Sequence, residues 1–261
     1  MMSNIFIATA YSFTVTATPV ETVDMPASYL NNIQPGDIFQ SSTADSTLEV
    51  DLGAAQSVNV IAALFTNLPA DATWEIRAAA TQAGLATGTI IQATAAFQMD
   101  AFPRGDGRSH GLVYLSAPVS FRWWKITLTG GTVPGGKLRM GRLFIGKAFT
   151  PTYNQSYGGG YRYISTTSYA AAKSGAVIPN PGAAPREYQA KLGYLTEAEA
   201  MTELYDIQEL AGDRTPVLVL PDHQNPYAQR NLMYGFISIR EPVLKAAFNT
   251  FVSVIKVTET I

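Results

Sequence analysis

Across the first 150 residues, short runs rich in Thr, Val, Ile and aromatic residues follow one another with only Gly, Pro, Asn and Asp clusters between them. No helical period intervenes. This spacing is the strongest constraint on the fold, because strands joined by turns, without helices to cross over a parallel sheet, close into an antiparallel sandwich or jelly roll. The runs Ile5–Thr16, Thr47–Leu52, Val58–Thr66, Thr73–Ala79, Leu112–Ser116, Phe121–Thr129 and Leu138–Gly146 read as strands, and Gly130–Gly136 as a loop. Trp124, Ile126 and Leu128 alternate imperfectly with Arg122 and Lys125, the pattern of a strand with one buried and one partly covered face. Trp123 and Trp124 are adjacent, so on a strand they point to opposite faces: one fills the core and the other covers an outer surface or an interface. Trp74 is read as a core residue.

The composition changes after Phe149. Thr150–Gly160 reads as a linker or exposed loop, Tyr161–Tyr169 as a further strand or arm, and Ser174–Pro185 is rich in Gly, Pro and Ala. One helix is well signalled. Thr196 with Glu199 forms a capping box, Glu197 suits the helix dipole, Met201, Leu204, Ile207 and Leu210 are read as its apolar face, and Gly212 closes it. Strands are expected at Pro216–Leu220, Leu232–Arg240 and Thr250–Thr258. The expected fold class is therefore mainly β: a sandwich over 1–150, a Gly/Pro-rich arm or linker over 151–186, and an α+β domain with one principal helix over 187–261. Which domain the first strand joins is left open by the sequence.

Bulk numbers exclude several function classes. A net charge of −2 with no Lys/Arg cluster offers no footprint for nucleic acid, and no apolar run approaches the ~20 residues of a membrane span. With no cysteine there is no disulfide and no thiolate metal site or nucleophile, which suits synthesis in a reducing cytoplasm. The opening Met1–Phe6 lacks the basic and apolar regions of a secretory leader. Charged residues make up only 15 % of the chain, little for a free-standing surface, so part of that surface is expected to be covered by partners.

Catalytic signatures are missing. The two histidines, His110 and His223, are far apart, and Pro221–Pro226 around Asp222-His223 reads as a polar turn rather than a metal or acid–base pair. There is no Gly-x-Ser-x-Gly, and Gly158–Gly160 lacks the Lys-Ser/Thr that would make it a phosphate loop. Glu197, Glu199 and Glu203 are read as a solvated helix face, and Arg104-Gly105-Asp106 as an Arg–Asp turn. The expectation is no enzyme, no cofactor and no metal. Candidate interface or glycan contacts are Trp123, Tyr153, Tyr157, Tyr161, Tyr163, Arg104 and Asp106, since exposed aromatics stack on sugars or anchor interfaces.

Two resemblances follow from specific segments. Thr47–Gly53 followed by Ser57–Ala62, with Trp74–Arg77 and Phe121–Leu128 as later strands, resembles the discoidin/galactose-binding-like jelly roll over about 140 residues. The succession of a sandwich ending at Leu143–Pro151, the Leu195–Ala200 helix start, the Val217–Leu220 strand and a closing run through Glu259 resembles distal-tail and baseplate proteins of long-tailed phages, although there the belt-like domain often comes first. That resemblance implies a structural subunit of a tail tip, made in the host cytoplasm and ending in the virion tail. It also implies a ring, hexameric by resemblance alone, that contacts other tail proteins. The alternative from a different class is a carbohydrate-binding module for host surface glycans, with exposed aromatics at the loop end of the sandwich near 100–110. A glycan hydrolase ranks third.

Overall fold

The structure, a computed structural model, describes residues 4–19, 24–101, 104–212, 214–239, 243–247 and 249–260. The opening Met1–Ser3, Phe102 and Pro103 of the 100–110 loop, and Arg240 at the end of the expected strand Leu232–Arg240 lie outside them. The chain is mainly β with one principal helix of 12 residues. It forms two units, 1–149 with 220–232, and 150–219 with 233–261.

The first unit contains β1 (Phe6–Ala10), β2 (Thr14–Thr18), β3 (Phe39–Gln40), β4 (Ser46–Thr66), β5 (Thr73–Ala79), β6 (Thr89–Ala96), β7 (Ser109–Thr129) and β8 (Arg139–Phe149). Its framework is the antiparallel pair β4–β7, each 21 residues long. The first part of β4 pairs with the last part of β7, and this pair is flanked by β2 on one side and β5 and β6 on the other. The last part of β4 pairs with the first part of β7 and with β8, and β8 carries β1 and β3 on its far edge. Two layers result, joined through both long strands.

The bends have local causes. In β4 the register slips between Asp51 and Gln56, where Gly53 takes φ +75° and its N–H is held by Asp51 Oδ1 at 2.8 Å. A glycine at positive φ is what a bulge of this kind requires. In β7 the pairing with β4 breaks between Tyr114 and Val119, a stretch that includes Pro118, which has no N–H to give a ladder. The sequence reading divided each long strand in two at these places; the extended strand continues through both bends. The expected strand Ile5–Thr16 is divided instead. β1 pairs with β8 and β2 with β4, so the chain changes layers between them, with the Tyr11 N–H on Ile145 O at 2.9 Å and Phe13 turned into the core.

Alternating residues from both layers meet in the core. Leu48, Val50, Trp74, Ile76, Trp124, Ile126 and Leu128 come from one layer, and Val58, Ile61, Ala63, Leu143 and Ile145 from the other. Burying each such side chain contributes about 1.5–3 kcal/mol. Trp124 is fully buried while Trp123 is half-exposed on the outer face, the division required of neighbours on a strand. The Pro221–Pro226 segment is a turn, with Asp222 Oδ1 accepting from the Gln224 N–H and Asn225 Oδ1 from the Tyr227 N–H. It leads into the short helix Ala228–Asn231, which packs on β7.

The second unit contains β9 (Gly160–Tyr163), β10 (Ser168–Ala171), β11 (Val177–Asn180), β12 (Arg186–Leu195), β13 (Val217–Leu220), β14 (Met233–Ile239), β15 (Leu244–Ala247) and β16 (Thr250–Glu259). A sheet runs β9-β12-β16-β14-β13, with β15 also on β16, and β10–β11 is a separate hairpin. Tyr161–Tyr169, read as a further strand or an arm, is thus divided between two strands that belong to different sheets. Along β16 buried and half-exposed residues alternate without exception, as a sheet with one core face demands. The helix starts with the expected capping box: the Thr196 N–H donates to Glu199 Oε2 at 2.8 Å and the Glu199 N–H to Thr196 Oγ1 at 3.2 Å. A π-helical run, Glu199–Leu204, continues as α1, Tyr205–Leu210, and Gly212 follows at φ +46°.

The buried helix face differs from the expected one. Ala200, Leu204, Ile207 and Ala211 are buried, whereas Met201 and Leu210 are exposed. Residues nine apart stand about two and a half turns from each other, so Met201 and Leu210 cannot share a face; spacings of 4, 3 and 4 do.

Two charge clusters lie on opposite faces of β12. Arg186 makes a bidentate pair with Glu259 at 2.7 and 2.6 Å, and the Glu187 side chain, 3 % exposed, is met by Arg162 at 2.5 Å and by Lys256. Burial alone would raise the Glu187 pKa, but hydrogen bonds from Arg162 and Lys256 outweigh it and hold the carboxyl below its usual range.

Two measurements test this architecture. In denaturant titrations Trp124→Ala is expected to cost about 3–5 kcal/mol and Trp123→Ala about 1 kcal/mol. A depressed carboxylate contributes stability that is present above its unfolded pKa and lost as pH falls through the folded value. The second unit should therefore lose stability progressively below about pH 4.3. Glu187→Gln should flatten that slope in stability measured against pH, and an unchanged slope would contradict the assignment.

Candidate functional site

Three places in the molecule gather the residues singled out in the sequence. The first is the outer face of the β2-β4-β7-β5-β6 layer. Trp123 stands opposite Asp51 of β4 and Ala79 of β5. Arg122 grips Asp51 through Nε at 2.7 Å and Nη2 at 2.8 Å, and its guanidinium lies 5.4 Å from the Trp123 ring centre. Hydrogen bonding from Arg122 is the main cause that holds the Asp51 carboxyl below the usual range. The same carboxylate closes the Gly53 bulge, so the residues that bend β4 also fix the Trp123–Arg122 stack. Beside them Arg77 pairs with Glu75 at 2.5 Å, and Gln82 donates to Glu49 at 3.1 Å. The result is a half-exposed aromatic ring framed by oriented charged groups, able to stack on an apolar ring face and to hydrogen-bond around it.

The second lies at the start of β7. Arg104 and Asp106 form a turn, with the Gly107 N–H on Arg104 O at 3.1 Å, the Arg108 N–H on Asp106 Oδ1 at 3.1 Å and an ion pair of 3.4 Å. The guanidinium groups of Arg104 and Arg108 lie 5.6 and 5.8 Å from the ring centre of Phe65. Phe65 takes φ +56°, a left-handed conformation costly for a bulky residue, and its N–H donates to Nδ1 of the buried His110 at 3.0 Å. The His110 N–H in turn donates to Gln229 Oε1 at 2.9 Å, and the Gln229 N–H to Asp100 Oδ2 at 2.6 Å. Sequence reasoning named Arg104 and Asp106 but missed Phe65, His110 and Gln229 as one network. No local signal links positions 119 residues apart. With Phe65, His110 and Gln229 all buried, the network is a structural tie beneath the Arg104–Arg108 turn.

The third place is the tyrosine surface of the second unit. Tyr153, Tyr157, Tyr161 and Tyr163 are all exposed, Tyr157 completely, and Tyr169, Tyr194 and Tyr205 join them. Tyr153 packs edge-on against Tyr194 at 6.2 Å, and Tyr161 leans on the buried Tyr188 at 4.7 Å. Burial of its hydroxyl, then the neighbouring Tyr188, push the Tyr161 phenol far above its usual range, even though 40 % of the residue's surface is exposed. The sequence did not single out Tyr188, Tyr194 or Tyr205. Among the described residues, the exposed aromatics are concentrated on this unit, whereas the glycan alternative expected them near 100–110.

The structure thus brings together Arg104 with Asp106, and places the four tyrosines of 153–163 on one unit. Trp123 stands by itself on the other half of β7. Among the described residues no group of three or more His, Asp or Glu side chains is arranged to hold a metal ion.

No family model matches the chain, and no curated protein matches it. Among solved structures, it is similar to the family 32 carbohydrate-binding module of NanJ from C. perfringens in complex with galactose, at 20 % identity and a TM-score of 0.41, covering 54 % of this chain and 99 % of that one. It is also similar to the module CBM32-3 of a family 31 glycoside hydrolase from Clostridium perfringens, at 15 % identity and a TM-score of 0.43 over 54 % of this chain and 95 % of that one. A third is chitosan-binding module 1 of a chitosanase/glucanase from Paenibacillus sp. IK-5, at 17 % identity and a TM-score of 0.41 over 52 % and 96 %. Likenesses at these scores assign neither ligand nor function.

Proposed function

We propose that the chain is a non-catalytic assembly subunit, whose second unit docks into a larger structure through the arm that carries β10 and β11. The observation behind this reading is the bareness of that hairpin. Every residue of both strands is exposed, including Tyr169, Val177 and Ile178. An isolated two-stranded hairpin is marginal in water, and a sheet with apolar residues and no covering layer is the form of an element that is completed by a partner. Tyr169 on the hairpin and the other exposed tyrosines of the same unit suit such a contact, since they supply large rigid area at little entropic cost. Placement in a long-tailed phage tail tip or baseplate, with other tail proteins as neighbours and a ring of copies, rests on the resemblance carried by Leu195–Ala200 and the closing strands. In that setting the chain is made in the host cytoplasm and ends in the virion tail.

Amide hydrogen exchange over 160–180 tests the reading. Exchange should be fast in the dilute chain and slow by about 100-fold or more in the assembly from which the chain is isolated. Equal rates in the two states would overturn it.

A second reading, glycan recognition by the first unit, is favoured by one feature: the half-exposed Trp123 ring with Arg122 and Asp51 oriented beside it. Host surface glycans are the substrate class this arrangement suits, and it is compatible with an assembly role for the second unit. Trp123→Ala should abolish retention on a glycan array while leaving the fold intact. No retention of the unaltered chain on any glycan would remove this reading.

A further inference from the structure

The arm and the helix of the second unit differ in charge as well as shape. Between residues 150 and 185 there is no acidic residue, and Arg162 and Lys173 carry the arm's charge. Between 196 and 212 there are five acidic residues, Glu197, Glu199, Glu203, Asp206 and Glu209, and no basic one. Glu197, Met201, Tyr205 and Glu209 recur every four residues and are all exposed, so two apolar side chains lie along the helix with a carboxylate at either end. The register of the hairpin puts Tyr169 opposite Pro179 and Ala171 opposite Val177 on one of its faces, all apolar and exposed. Lys173 is exposed in the turn that joins the strands, where the Gly175 N–H closes on Ala172 O at 2.9 Å.

We infer that the occupant of the exposed helix face is the β10–β11 hairpin of a second copy of this chain, with Tyr169 and Val177 against Met201 and Tyr205 and with Lys173 against the carboxylate of Glu209. This rests on the assembly reading above and names the partner in it. Within one chain both surfaces are bare, so neither covers the other. Donor and acceptor surfaces are different patches on the same unit, which makes the contact head-to-tail: each copy receives one arm and gives one, and such contacts propagate until a ring closes or a filament grows.

Sedimentation equilibrium of the full chain over a range of concentrations and salt tests the inference. The average mass should rise above the 28.1 kDa of one chain as concentration increases, and fall back as salt is added. Lys173→Glu should weaken association roughly 5–10-fold, as expected for reversing one partly exposed pair. Adding Glu209→Lys to the same chain should recover most of the loss, and both sites are exposed, so neither change threatens the fold. A chain that stays monomeric throughout would overturn docking on a second copy. It would leave the assembly reading to the hydrogen-exchange result, where a foreign partner would still slow exchange in the hairpin. Association indifferent to Lys173→Glu, or a loss that Glu209→Lys fails to restore, would overturn the inference by placing the contact between copies elsewhere.

Discussion

The pairing of β4 with β7 is the interaction on which the first unit depends. Each strand serves both layers, so the sandwich exists only because each can leave one sheet and enter the other without breaking off. Bending a ladder leaves peptide groups unpaired unless something local takes them up, and here Asp51 does so on the β4 side. Its carboxylate accepts from the Gly53 N–H and from the Arg122 fork, and so ties the bend in β4 to the flank of β7. The half-exposed Trp123 owes its position to the same tie. Surface chemistry and fold geometry are set here by one side chain.

The second unit solves a different problem. A single sheet under one short helix has little interior, and charged residues at Arg186 and Glu187 occupy positions where a larger core would place apolar ones. Removing either partner of such a pair strands the other in a poorly solvated place. The compensation is geometric: consecutive residues on a strand face opposite ways, so Arg186 and Glu187 each have a separate partner set, Glu259 on one side and Arg162 with Lys256 on the other. The arm leaves the sheet beside these pairs, at β9, which is therefore firmly rooted while the hairpin beyond it is bare.

What the sequence made legible is local. Thr73–Ala79 reads as a strand because its alternation is clean and polar turn residues bound it, and the Thr196–Glu199 cap is written in two residues three apart. Bends inside β4 and β7 were not legible, because Gly53–Gln56 and Ser116–Pro118 look like turns until the partner strand is seen to continue past them. The helix face was misread for want of the angle: steps of three drift around the cylinder, and only alternating steps of three and four stay on one side. Tyr188 and Tyr194, six residues apart, would share a face of a regular strand. The register shift between Leu192 and Leu195 turns Tyr194 outward while Tyr188 stays in. The tyrosine-rich composition was visible, then, but which rings face solvent depended on a bulge that pairing alone reveals.

The interleaving of the two units along the chain has a consequence for biosynthesis. The sandwich strands are all present once residue 149 has emerged, and their pairs span long separations, as between Ser46 and Leu128. Yet the His110 N–H finds its acceptor on Gln229, and Ala228 and Gln229 are buried parts of the same unit. Until the ribosome has delivered residue 232, the sandwich lacks both that acceptor and the segment that carries it, through the whole time that 150–219 are being made. Folding from the N-terminus cannot simply finish one unit before the next begins. The nascent first unit must wait in a nearly complete state until 220–232 arrive, and the second still needs β14 and β16 after that.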